Sequence, residues 1–134
     1  MENKYTTTET TMSLINYHFV FCPRYRRKIF EIEGVTERFK EMVREICEEE
    51  AITVKSIECS ENYAYIVVSS PPTLSPYTIM RLIKKDTNIK IRKEFEPLAN
   101  MPSVWTKNFF VSTEDKVNKE MISYYVHSQR TRTN

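Results

Sequence analysis

The sequence predicts an α+β domain, a ferredoxin-like β-α-β-β-α-β sandwich with an antiparallel sheet and a further helix at the C-terminal end. Three observations predict it. Alternating apolar segments and segments of helical period follow one another in that order. The strongest strand signal, Tyr63 to Val68, closes a hairpin rather than a crossover. At 134 residues the chain has the length of one domain, and it shows neither an internal repeat nor a low-complexity linker.

Residues 1–12 are polar and Thr-rich and read as a flexible tail, with the domain proper over 13–129. From Ser13 the pattern alternates. Tyr17, Phe19 and Phe21 fall on one face of a strand and Asn16, His18 and Val20 on the other, until Pro23 ends it. A basic cluster follows: Arg24, Arg26, Arg27 and Lys28, with Tyr25 inside it. Over 35–50, Val35, Phe39, Met42, Val43 and Ile46 share one helical stripe, with Gly34 or Thr36 marking the start. Residues 52–59 form the second strand. The β-branched and aromatic run from Tyr63 is the third, and Pro71-Pro72 terminates it.

Ser75 and Pro76 supply an N-cap and a first helical residue. The helix they open runs to about Glu94, with Ile79, Leu82 and Ile83 on its apolar side and Lys84, Lys85, Lys90, Arg92 and Lys93 in its later turns. Residues 104–112, with Trp105, Phe109 and Phe110, read as the fourth strand. Asn118 caps a last helix to about Gln129, and 130–134 form a loose basic end. Both main helices are expected on one face of the sheet, leaving the other open.

Composition excludes several classes. The single glycine, Gly34, rules out a Walker loop and a dinucleotide fingerprint, which need several glycines for close approach to phosphate. Cys22, Cys47 and Cys59 form no C-x-x-C pair, which suits reduced thiols in the cytoplasm. No apolar run is long enough for a membrane span, and the N-terminus has no secretory h-region. A formal charge of +2 does not by itself indicate nucleic acid, so that argument rests on where the charges lie.

Three segments carry a resemblance. Residues 16–28 (NYHFVFCPRYRRK) look like the opening strand and basic turn of the small HUH tyrosine transposases, enzymes of insertion sequences that move as single-stranded DNA. Residues 104–113 (VWTKNFFVST) resemble that family's tryptophan-bearing fourth strand, and 121–129 (MISYYVHSQ) its final catalytic helix. The resemblance implies a tyrosine that attacks a DNA phosphate and forms a 5′-phosphotyrosine link. It implies a divalent cation, Mg or Mn, held by two strand histidines and a helical glutamine. It also implies a homodimer and recognition of single-stranded or hairpin DNA. Tyr125 matches the nucleophile and Gln129 the helical ligand, and their spacing of four puts both on one helix face.

The histidines depart from that pattern. Counting back from Pro71-Pro72 places Tyr63-Ala64-Tyr65 at the His-hydrophobic-His triplet, so tyrosine stands at both histidine positions. A phenol with a pKa near 10 is a poor ligand for such a cation. The family's lysine-glycine turn reads Lys84-Lys85-Asp86-Thr87 here, and the glycine before the aromatic pair is replaced within Lys107-Asn108.

The expectation is a degenerate member that binds DNA, holds no cation and has lost metal-dependent cleavage. Two alternatives stay open: an active transposase using Tyr125 with an altered metal site, drawn for example from His18, His127 and Gln129, and an interaction dimer without DNA binding. Tyr63 and Tyr65 share a strand face, covering the sheet, stacking on bases or binding a residual metal through phenolate, and His18 is expected beside them. Arg24, Arg26, Arg27, Lys28, Lys84 and Lys85 are the phosphate-contact candidates, with 90–93 and 130–132 adding charge and Tyr25 and Trp105 as stacking partners.

Overall fold

A computed structural model describes residues 5–115 and 117–129, with the Arg26 side chain outside the description. The expected tail holds a two-stranded hairpin, β1 (Thr6–Thr7) against β2 (Met12–Ser13). The main sheet contains β3 (Asn16–Phe21), β4 (Thr53–Ser60), β5 (Tyr63–Ser69) and β6 (Phe110–Ser112). Its order is β4-β5-β3-β6, and every pairing is antiparallel. The helices are α1 (Val35–Glu49), α2 (Pro76–Glu94) and α3 (Lys119–Ser128). The first and third main strands are therefore neighbours, as the split β-α-β arrangement requires.

Local chemistry explains the boundaries. Gly34 precedes α1 with a φ of 86°, a left-handed conformation that a side chain would strain. The Ser75 Oγ accepts the Thr78 amide at 3.1 Å and Pro76 opens α2. The Asn118 Oδ1 accepts the Met121 amide at 2.9 Å and starts α3.

Alternation in the strands builds two cores. Phe19, Phe21, Ile66 and Val68 point to the α1/α2 side and pack with Phe39, Met42, Ile79 and Ile83. Val20 and Cys22 point to the other side, which α3 covers with Ile122 and Tyr125. That face was expected to be open. Here α3 lies across it, because Val20 would otherwise expose its side chain in the middle of the sheet.

The fourth strand is shorter than expected. Residues 104–112 yield strand only at β6, preceded by an isolated bridge between Pro23 and Trp105. The reason lies in α2. Lys84, Asn88 and Arg92, spaced four apart on one helix face, bind the backbone of the preceding segment. Arg92 donates to the Met101 carbonyl at 3.1 Å, and the Val104 amide donates to Asn88 Oδ1 at 2.8 Å. The Lys84 ammonium donates to the Thr106 and Asn108 carbonyls at 2.5 and 3.1 Å. These groups are satisfied by side chains instead of a ladder.

Candidate nucleic-acid interface and tyrosine face

The tyrosine face begins with β5. Tyr63 and Tyr65 alternate with buried Ala64, so both point toward α3, where they pack around Val20, Cys22, Ile122 and Tyr125. Tyr65 lies directly opposite Val20 in the β3–β5 register. Its hydroxyl sits 2.8 Å from the His18 Nδ1, so His18 is beside Tyr65 as expected. Burial lowers the His18 pKa, partly offset by Asp115. Burial, with Glu58 adding to it, raises that of the Tyr65 phenol. Burial also pushes the Cys22 thiol up to about 12, with Lys84 pulling the other way.

Tyr125 is 9% exposed, while its neighbour Tyr124 is 82% exposed. The Tyr125 hydroxyl donates to Asn108 Oδ1 at 2.9 Å, and its ring lies 6.0 Å from that of Phe110. Gln129 follows α3 as its cap. Its Nε2 donates to Ser128 Oγ at 3.1 Å, and its Oε1 is shielded from solvent without a hydrogen-bond partner among the described residues.

This donor set does not fit a divalent cation. Gln129 Oε1 offers one oxygen, but the His18 Nδ1 is engaged with Tyr65, and the phenol and thiol on this face keep their protons at neutral pH. His127 is exposed on α3 whereas His18 is buried in β3. Among the described residues no group of three or more His, Cys, Asp or Glu side chains could hold a metal ion.

A second feature lies on the α2 side. A cleft of about 380 Å³ opens between α2 and residues 103–109. Among the described residues five cations line it, Arg24, Arg81, Lys84, Lys85 and Lys107, and no carboxylate does. None of the five makes an ion pair within the described residues. Arg24 Nε is shielded from solvent without a hydrogen-bond partner among the described residues. Burial lowers the Lys84 pKa to about 8, with the nearby Cys22 acting in the opposite sense. Tyr77, 65% exposed, and Phe109 form an aromatic side to the cleft, their rings 6.5 Å apart. Cations tracking a backbone beside exposed rings are the elements of single-strand binding surfaces.

The expected contact residues divide. Arg24, Lys84 and Lys85 come together in the cleft. Arg27 is exposed outside it, and Lys28 is 3.8 Å from Glu61. Tyr25 is exposed, held at a φ of 58° with the Arg24 guanidinium over its ring at 5.4 Å. Trp105 corrects the expectation of stacking. It is 2% exposed, its ring packs 4.8 Å from that of Phe21, and its indole N–H donates to Thr87 Oγ1 at 2.9 Å. Its ring faces are spent on the core. Residues 130–134, including Arg130 and Arg132, lie outside the described residues.

Sequence reasoning missed Tyr77, Arg81, Lys107, Phe109 and Asn108. A signal existed for two of them. Tyr77, Arg81, Lys84, Lys85 and Asn88 fall at i, i+4, i+7, i+8 and i+11, one face of α2.

Comparison with known proteins agrees with this geometry. Residues 11–129 match the family model described as Transposase IS200 like. The transposase of insertion sequence element IS200 from Salmonella typhimurium is 25% identical over 114 residues, covering 83% of this chain and 74% of that protein. The ISDra2 transposase TnpA of Deinococcus radiodurans is 18% identical over 118 residues, covering 86% and 84%. The crystal structure of a transposase candidate from Deinococcus radiodurans superposes with a TM-score of 0.84 at 16% identity, covering 92% of this chain and 97% of that one. A REP-associated tyrosine transposase bound to a REP hairpin gives 0.58 at 10% identity, covering 90% and 70%. Order of elements, sheet topology and the match over 11–129 together make this chain a member of the IS200-like transposase family.

Proposed function

We propose that this protein is a DNA-binding member of its family that has lost metal-dependent strand cleavage. The observation that carries the reading is the contrast between its two faces. The α2 side presents a cleft that, among the described residues, five cations and no carboxylate line, suited to phosphodiester oxygens. The tyrosine face, where the family's chemistry belongs, offers phenols and a buried thiol around an engaged histidine. Without a Lewis acid at the scissile phosphate, several kcal/mol of transition-state stabilisation are missing, roughly several decades of rate. The DNA partner is a hairpin or single strand, a reading supported by the neighbour solved with a hairpin.

Self-association belongs to the same proposal. The outer edge of β6 has no partner strand within the described sheet and carries the exposed Val111, which suits a second copy. No helix of the described chain is long and apolar enough to cross a membrane, and we place the protein in the cytoplasm with its DNA.

The test is a native gel of labelled hairpin DNA at low salt, with Mn or with a chelator. Equal retardation in both supports metal-independent binding. Retardation that needs Mn would point to the alternative, an active enzyme with an altered metal site. No retardation in either would leave an interaction dimer that shares only the fold.

A further inference from the structure

The cleft and Tyr125 lie on opposite sides of the sheet, yet they share a wall. Lys84 lines the cleft and donates to the carbonyls of Thr106 and Asn108. The same Asn108 accepts the Tyr125 hydroxyl through its side chain at 2.9 Å, and the Thr106 hydroxyl lies 3.4 Å from that Oδ1. The Thr106 amide in turn donates to the Cys22 carbonyl at 3.0 Å, tying the segment to the strand end beneath α3. An ammonium in the floor of the cleft is thus two hydrogen bonds from the family's nucleophile position.

Lys84 is also incomplete as a charge. It is mostly buried, the acceptors of its ammonium are neutral carbonyls, and no carboxylate pairs with it among the described residues. A partly desolvated cation without a counter-charge is costly and favours an anion beside it. The cleft is where that anion would enter, since its other cations, Arg24, Arg81, Lys85 and Lys107, attract the same sign.

We propose that Lys84 is a positioning residue that couples the cleft to Tyr125: a DNA phosphate in the cleft supplies the missing counter-charge, stabilises the buried ammonium in the position where it bonds Asn108, and so steadies the Tyr125 hydroxyl and α3. The inference rests on the DNA-binding reading above and adds a second, distant consequence of binding. Coupling of this kind needs two sites and an element whose state both bias, and residues 106–108 are that element.

Hydrogen exchange of the full chain, with and without a short oligothymidylate, tests it. Bound oligonucleotide slows exchange of the α3 amides by roughly three- to tenfold, the protection expected when about one hydrogen bond is firmed. In Asn108→Ala the oligonucleotide still binds, because Asn108 does not line the cleft, but α3 no longer responds. Lys84→Met removes the response at its source, and unchanged exchange of α1 in both variants shows that the fold is kept. A general structural role for Lys84 would not make α3 exchange depend on DNA. Binding to the wild-type chain with α3 exchange unchanged, or a response that persists in Asn108→Ala, overturns the inference while leaving DNA binding intact. Absence of binding overturns both.

Discussion

Removing two cations from the cleft should change the salt dependence of DNA binding by a defined amount. Arg81 and Lys85 are exposed on α2, one turn apart, and line the cleft without ion pairs. Lys84, bonded to two carbonyls, shares a phosphate with a neighbouring cation, so the four cations Arg24, Arg81, Lys85 and Lys107 set the number of phosphates neutralised. Each neutralised phosphate of a duplex stem contributes about 0.9 to the slope of log K against log salt, so four give about −3.6. Between about 50 and about 200 mM salt the affinity then falls roughly 150-fold. Arg81→Ala with Lys85→Ala halves the slope to about −1.8, and the same change in salt costs roughly 12-fold. Alanine at exposed helix positions costs nothing in propensity, so α2 is kept. Fluorescence anisotropy of a labelled hairpin across a salt series measures both slopes. An unchanged slope in the double variant would refute the assignment, because it would place the phosphate contacts elsewhere, for example at Arg27 and Lys28.

Two further outcomes concern stability. Thr87→Val leaves the buried indole N–H of Trp105 without its acceptor at nearly constant volume, a loss of about 1–3 kcal/mol that urea denaturation reads as a lower midpoint. No change would mean that the indole finds another partner. The pH dependence is set by thiols. Burial pushes Cys22 up to about 12, Cys47 to about 11 and Cys59 to about 12, against an ordinary value of 9.0. Above pH 9 the unfolded thiols release protons that the folded ones keep, so stability falls as pH rises, by at most about 1.4 kcal/mol per unit per thiol. Lys84, lowered to about 8 from 10.5, acts in the opposite sense between those values, because there the unfolded amine holds the extra proton. Three thiols outweigh one amine, and denaturant midpoints should decline from about pH 9 upward. A rising midpoint there would contradict the burial of these groups.

Elements whose signals are local were legible in the sequence. The stripe of Val35, Phe39, Met42, Val43 and Ile46 makes α1, and Ser75 with Pro76 opens α2, because capping and periodicity act within a few residues. Strand alternation also placed His18 beside Tyr65, since the order of elements makes their strands neighbours. Residues 101–108 were not legible. Beside the short bridge to residues 22–24, their backbone is held by Lys84, Asn88 and Arg92, remote in sequence, and nothing local announces that a helix face will replace most of a strand ladder. Trp105 looked available for stacking for the same reason. Its burial depends on Phe21, Phe30 and Phe39 converging from three separate segments. Of the cleft, Arg24, Lys84 and Lys85 were found as runs of charge, whereas Lys107 and Phe109 join it only through the fold.

The central claim is that DNA binding persists while metal-dependent cleavage is gone. The most direct measurement incubates the protein with labelled hairpin DNA and Mn or Mg, then separates the products on a denaturing gel beside Tyr125→Phe. The account predicts DNA of unchanged length and no denaturation-resistant adduct in either protein. A covalent adduct that forms with the cation and disappears in Tyr125→Phe would contradict it, and would show that Tyr63 and Tyr65 did not end the chemistry.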